Sequence, residues 1–164
     1  MSILSITRLP ILVLLLIATV SARAESTVAS NELQERCRQS ALQFVNEKSG
    51  GEGLHSFPAY DANHHPLDKE VVDSVSFRSH YNMKLNQCFA LVTNNRTAPP
   101  ELDPIALPTS NGIVLWNLSE GTYIGVFVSL QHETSTWKNT CVFENATCAS
   151  AAEFDARVAR FMTD

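Results

Sequence analysis

The run Arg78-Ser79-His80-Tyr81-Asn82-Met83-Lys84-Leu85-Asn86 is the densest polar constellation of the sequence. Alternation puts Arg78 and His80 on the solvated face of a strand, and Lys84 lies just beyond its end. A guanidinium offers a planar donor fork and an ammonium a point charge, so together they can hold an anionic group. The binding surface read from this run is Arg78, His80, Tyr81, Asn82, Lys84 and Asn86. The plainer reading is an exposed polar strand face followed by a turn, with Asn82 and Asn86 serving turn geometry.

A second cluster, Asp61-Ala62-Asn63-His64-His65-Pro66-Leu67-Asp68, holds imidazoles and carboxylates of the kind that bind zinc or copper. Asp61, His64 and His65 are the weak metal candidates here. Adjacent side chains point apart, His65 precedes a proline that keeps it extended, and no recognised ligand spacing is met. A polar surface loop is therefore expected, with no metal and no cofactor. Catalytic signatures are missing: there is no G-x-S-x-G elbow, no H-E-x-x-H, no glycine-rich phosphate loop and no S-x-x-K. No catalytic residue is assigned. Three Asn-x-Ser/Thr triplets begin at Asn95, Asn117 and Asn145, a number that arises easily by chance among 11 asparagines.

The spacing His80-Tyr81-Asn82-x-Lys84-Leu85-Asn86-x-Cys88-Phe89, with the later Cys141…Cys148-x-Ser150-x-x-Glu153-Phe154, resembles a pattern in small uncharacterised secreted bacterial proteins. The resemblance covers roughly a quarter of the mature chain expected after cleavage of the first 24 residues. It implies an exported bacterial protein and supplies no mechanism.

Four cysteines, Cys37, Cys88, Cys141 and Cys148, make an even count. In an exported chain that predicts two disulfides, and three connectivities are open. Cys37–Cys88 with Cys141–Cys148 is favoured, because six residues between the last two form a loop that closes easily. Zinc would want closer spacing, and a catalytic thiolate would want an unpaired cysteine.

The elements that must position these groups follow from periodicity. Residues 30–48 read as a helix capped by Asn31 with Gln34, with Leu33, Cys37, Ala41, Phe44 and Val45 on one face. The glycines after Ser49 end it, and Leu54–Lys69 reads as a long loop. Val71, Val75, Phe77 and Tyr81 alternate against Ser74, Ser76, Arg78 and His80 as a half-buried strand, and Leu85–Thr93 makes another. If the helix packs on these strands, Cys37 and Cys88 share the layer between them. Asn94–Gly112, with four prolines, reads as a long connection. Ile113–Leu118 and Thr122–Leu130 form the clearest hairpin, with Gly125 marking a bulge. Ser150 and Glu153 make a capping box for a last helix that carries Phe154, Val158 and Phe161. The fold class expected is α+β: an antiparallel sheet of about four strands, an N-terminal and a C-terminal helix, and two disulfides.

The chain has 164 residues, 12 basic and 17 acidic. Its start has one charge, Arg8, before the apolar run Ile11–Val20, and ends in Ala22-Arg23-Ala24, a small-x-small cleavage pattern. The run is about half the roughly 20 residues a spanning helix needs. Residues 1–24 are thus expected to be a cleaved signal peptide and 25–164 a single domain, periplasmic or secreted, with no transmembrane segment in the mature chain. Losing Arg8 and Arg23 leaves ten basic against 17 acidic side chains, a net charge of −7. That balance argues against nucleic acid as a partner. Within it, residues 71–100 are mildly basic, with Arg78, Lys84 and Arg96 against Asp73. The function expected is a non-enzymatic binding or interaction protein of the cell envelope, with a protein or envelope component as partner. The alternatives are a small secreted hydrolase using His80 with a carboxylate, and a passive structural envelope protein.

Overall fold

The helix expected over residues 30–48 instead runs unbroken as α1 (Leu9–Ser49). Residues 21–30 contain neither glycine nor proline, so nothing stops the helix between the apolar run and Asn31. It ends where expected. Gly50 takes φ +75°, and the Gly51 N–H reaches back to the Val45 carbonyl at 3.3 Å. The computed structural model describes residues 9–60, 65–97, 109–132 and 136–164, with side chains from Val28 onward except at 132, 136 and 137.

Seven antiparallel strands follow, hydrogen-bonded in chain order: β1 (Gly53–Tyr60), β2 (Pro66–Asn82), β3 (Gln87–Thr97), β4 (Ser110–Asn117), β5 (Thr122–His132), β6 (Thr136–Phe143) and β7 (Ala146–Thr147). Helix α2 (Ala151–Ala159) closes the described elements. The α+β class stands, but the sheet has seven strands rather than about four. The stretch Leu54–Lys69, expected to be loop, supplies β1 and the first turn of β2's ladder (Phe57 pairs with Val71, Pro58 with Glu70). As an edge strand β1 buries only Ala59, so it has no apolar alternation to reveal it. The Asn94–Gly112 connection is shorter than expected, since 94–97 belong to β3 and 110–112 to β4; residues 98–108 lie outside those described.

The two helices cover opposite faces of the sheet. On one, Ala41 and Val45 of α1 pack on Val75, Ala90 and Val92, with Phe44, Phe77 and Trp116 around them. On the other, Phe154 and Val158 of α2, with Phe161, pack on Phe89, Leu91, Leu115, Phe127 and Phe143. β3 lies between both layers, which is why Cys88–Val92 is buried without interruption rather than on alternate residues. Cys37 is bonded to Cys88 with Cα atoms 5.4 Å apart, stapling α1 to β3. Cys141 is bonded to Cys148 with a Cα separation of 5.1 Å, joining β6 to the approach to α2. Two disulfides are the mark of a chain that folds in an oxidising compartment. Among the described residues, no helix is long and apolar enough to cross a membrane.

Gly125 adjoins a bulge as expected: Leu115 pairs with Gly125 but Trp116 pairs with Tyr123, leaving Ile124 as the extra residue. The need for glycine has a second cause. A Cβ at 125 would stand 2.4 Å from Cδ2 and 2.9 Å from Cε2 of Phe143, a fully buried ring wedged against Phe154 and Phe161. Gly125→Ala is expected to cost about 2 kcal/mol from overpacking, read as a lower urea midpoint with unchanged slope. An unchanged midpoint would show that the ring can move aside.

Candidate functional site

The β2–β3, β4–β5 and β6–β7 turns converge with the segment after α2 at one end of the sheet. What builds that end is Asn82, which is 1 % exposed. Its Nδ2 donates to the carbonyls of Arg160 (3.1 Å), Phe161 (3.4 Å) and Thr163 (2.8 Å), which α2 leaves unpaired at its C-terminus. Its Oδ1 accepts the Leu85 N–H at 3.0 Å and so forms the turn as well. Asn86 takes φ +53° and accepts a hydrogen bond from the Tyr81 hydroxyl. Both asparagines therefore do the turn work that their type predicts.

β1 begins opposite Val75, so among the described residues β2 from Ser76 onward has no strand on its outer edge. At Tyr81 a side chain takes that place. The Gln34 carboxamide on α1 accepts the Tyr81 N–H at 2.9 Å and donates to the Tyr81 carbonyl at 2.8 Å. These two bonds fix the amide, and its Nε2 also faces His80 Nδ1 at 3.5 Å. On the other side of the ring, His80 Nε2 lies 3.4 Å from the Asp164 carboxylate. That is ion-pair distance without hydrogen-bond alignment: Nε2 is sealed from solvent and has no hydrogen-bond partner.

Asp164 is held below the ordinary carboxylate range, chiefly because it accepts the Met83 N–H (2.9 Å) and then because it faces His80 and Lys84. A carboxyl whose folded pKa is depressed stabilises the fold above its unfolded pKa and loses that contribution as pH falls through the folded value. Asp164→Asn should therefore lower stability at neutral pH, with the deficit shrinking as pH drops below about 4. Urea titrations of both proteins between pH 7 and pH 2 read this. A deficit independent of pH would assign the effect to packing.

The structure thus gathers His80, Tyr81, Asn82, Lys84 and Asn86 around one turn and leaves Arg78 apart. Arg78 is exposed, in register with Leu91 and about 13 Å along the strand from Asn82. The third cation of the basic stretch is not free. Arg96 makes a two-pronged bond to buried Asp73, 2.8 Å for each prong, and the pair raises the guanidinium pKa. Of the metal candidates, Asp61 and His64 lie outside the described residues and His65 is exposed. Among the described residues, no three His, Cys, Asp or Glu could hold a metal.

Two grooves meet at this end of the sheet. One, of about 510 Å³, is walled by Asn82, Lys84, Leu85, Arg160 and Asp164. The other, of about 660 Å³, is walled by Gln87, Trp116, Glu120, Tyr123, Ile124 and Asn145. Glu144 and Phe161 belong to both. Arg160 pairs with Glu144 and lies over the Phe161 ring, 4.7 Å from its centroid. The second groove had no signal as a site in the sequence, because its walls come from three turns far apart in the chain. No family model, curated protein or solved structure matches this chain.

Proposed function

We propose that the chain is an exported, disulfide-stapled bacterial protein, residues 1–24 being a cleaved signal peptide and 25–164 one domain. It acts as a non-enzymatic binding protein of the periplasm or secreted space and engages a protein or envelope-component partner through the turn end of its sheet. The observation that carries this reading is how the His80–Phe89 motif is used. Asn82 and Asn86 hold the turn, Cys88 forms the bridge and Phe89 is core. Lys84 and Leu85 have no such duty. With Met83 they stand exposed beside the 510 Å³ groove, Met83 at 43 % and Leu85 at 46 %. A cation flanked by two apolar side chains at a rigid rim suits recognition better than catalysis.

Export is supported by the two disulfides, which form in an oxidising compartment. Mass spectrometry of the protein recovered from outside the cytoplasm should give a chain beginning at Glu25. A photo-crosslinking side chain at Leu85 should capture a partner in intact cells, whereas one at Leu54, 77 % exposed on the far edge strand, should not. Equal capture from both positions, or from neither, would overturn the assignment of the surface.

A further inference from the structure

The groove between the β4–β5 and β6–β7 turns has a composition that selects a ligand class. Tyr123 is 59 % exposed at its rim, a large ring with no cover. It stands edge-on to Trp116 with centroids 6.1 Å apart, and Phe44 of α1 backs Trp116 at 4.9 Å. The aromatic wall is therefore fixed before any ligand arrives. Beside it, Gln87 Nε2 donates to Glu120 Oε1 at 2.8 Å, an amide and a carboxylate already oriented by each other. Asn145, at the tip of the β6–β7 turn with φ +64°, brings a second amide.

No Lys, Arg or His lines this groove among the described residues, and its two carboxylates oppose an anion. Each carboxylate also already has a donor: Gln87 for Glu120, and Arg160 for Glu144. That weakens their pull on a cation and leaves lone pairs to accept from hydroxyl groups. An aromatic ring offers its negative face to polarised C–H bonds. Uncharged, with a C–H face and an equator of hydroxyls, a sugar ring matches both walls. A volume of about 660 Å³ lies within the usual range of small-molecule sites.

We propose that this groove binds a neutral saccharide, its ring stacked on Tyr123 and its hydroxyls bonded to the Gln87–Glu120 pair and Asn145. The inference rests on the reading of the turn end as the binding surface, and names a ligand class for its second groove. The test is a titration of the isotopically labelled, exported protein with chitotriose, maltotriose and trilysine, followed by amide chemical shifts. Saturable shifts at Glu120–Ile124 and Asn145 with one of the two sugars are expected. Tyr123→Ala and Glu120→Gln should each weaken that binding about tenfold, while Tyr123→Phe, which keeps the ring, should bind as the wild type does. Thermal midpoints of the variants separate lost binding from lost folding. Absence of saturable shifts with both sugars, shifts unaltered in a folded Tyr123→Ala, or response to trilysine alone would overturn the proposal. Crosslinking at Leu85 reads the other groove, so it can succeed where the sugars fail, and then only this inference falls.

Discussion

Replacing Cys37 and Cys88 together by alanine should destabilise the protein by about 4 kcal/mol, the loop-closure entropy released by a bridge between residues 51 apart. For a chain of this size that is a fall of about 12 °C in the thermal midpoint. The effect is large because the bridge joins elements from separate parts of the chain. Its sulfurs lie in the layer where Ala41 and Val45 meet Ala90 and Val92. Removing it leaves α1 held to that face only by Ala41, Val45, the Phe44 ring against Trp116 and the Gln34 carboxamide, among the described contacts. The Cys141–Cys148 bridge spans only 7 residues, so its removal should cost less, about 2.5 kcal/mol. Urea denaturation of the two double variants under identical conditions checks the order. A larger loss from the short bridge would show that local strain outweighs chain entropy.

Asn82→Leu is the second large effect, expected at about 3 kcal/mol. Leucine is close in size, so little packing is lost. What is lost is the partner of four backbone groups: the carbonyls of Arg160, Phe161 and Thr163, and the Leu85 N–H. Asn82→Asp separates this account from a simple packing defect. A carboxylate still accepts from Leu85 but turns negative charge on three carbonyl oxygens, which raises its folded pKa above the unfolded value. A group of that kind stabilises below its unfolded pKa and loses the contribution as pH rises. The aspartate variant should therefore regain stability relative to wild type on acidification, while the leucine variant does not. Parallel behaviour of the two variants would remove the hydrogen-bond explanation.

What the sequence made legible were the elements with two independent local signals. α2 has the Ser150–Glu153 cap, in which the Ser150 hydroxyl accepts the Glu153 N–H at 3.2 Å and the Glu153 carboxylate accepts the Ala149 N–H at 2.7 Å. It also has a buried face of Phe154 and Val158. Of three possible cysteine pairings, the one favoured by the short Cys141–Cys148 loop is the one formed, with Cys37 bonded to Cys88. What stayed hidden lacked a buried face or depended on distant residues. β1 buries one side chain, and β6 meets β7 through Glu144 and Asn145, two residues of positive φ without the glycine that advertises such turns. The start of α1 was misplaced because Asn31 and Gln34 have the types of a capping pair. Gln34 instead spends its amide on Tyr81, 47 residues away. The candidate site divides the same way. Its polar turn was visible, but no spacing rule could place Phe161 or Glu144 beside it, nor reveal that Asp73 already occupies Arg96.

The order of the sheet also fixes how the chain can assemble. Each strand pairs only with its neighbours in sequence, so hairpins can form in succession, within about 10 μs each, without any strand waiting for a distant mate. One described hydrogen-bonded contact breaks that rule on the longest scale: Asn82 and Met83 are held by residues 78–81 positions later. Contacts of such separation are entropically the last to be rewarded. The β2–β3 turn, and the groove whose wall it forms, therefore reach their final shape only when residues 160–164 have docked. A chain stopped short of them would carry the whole meander and an unfinished binding surface.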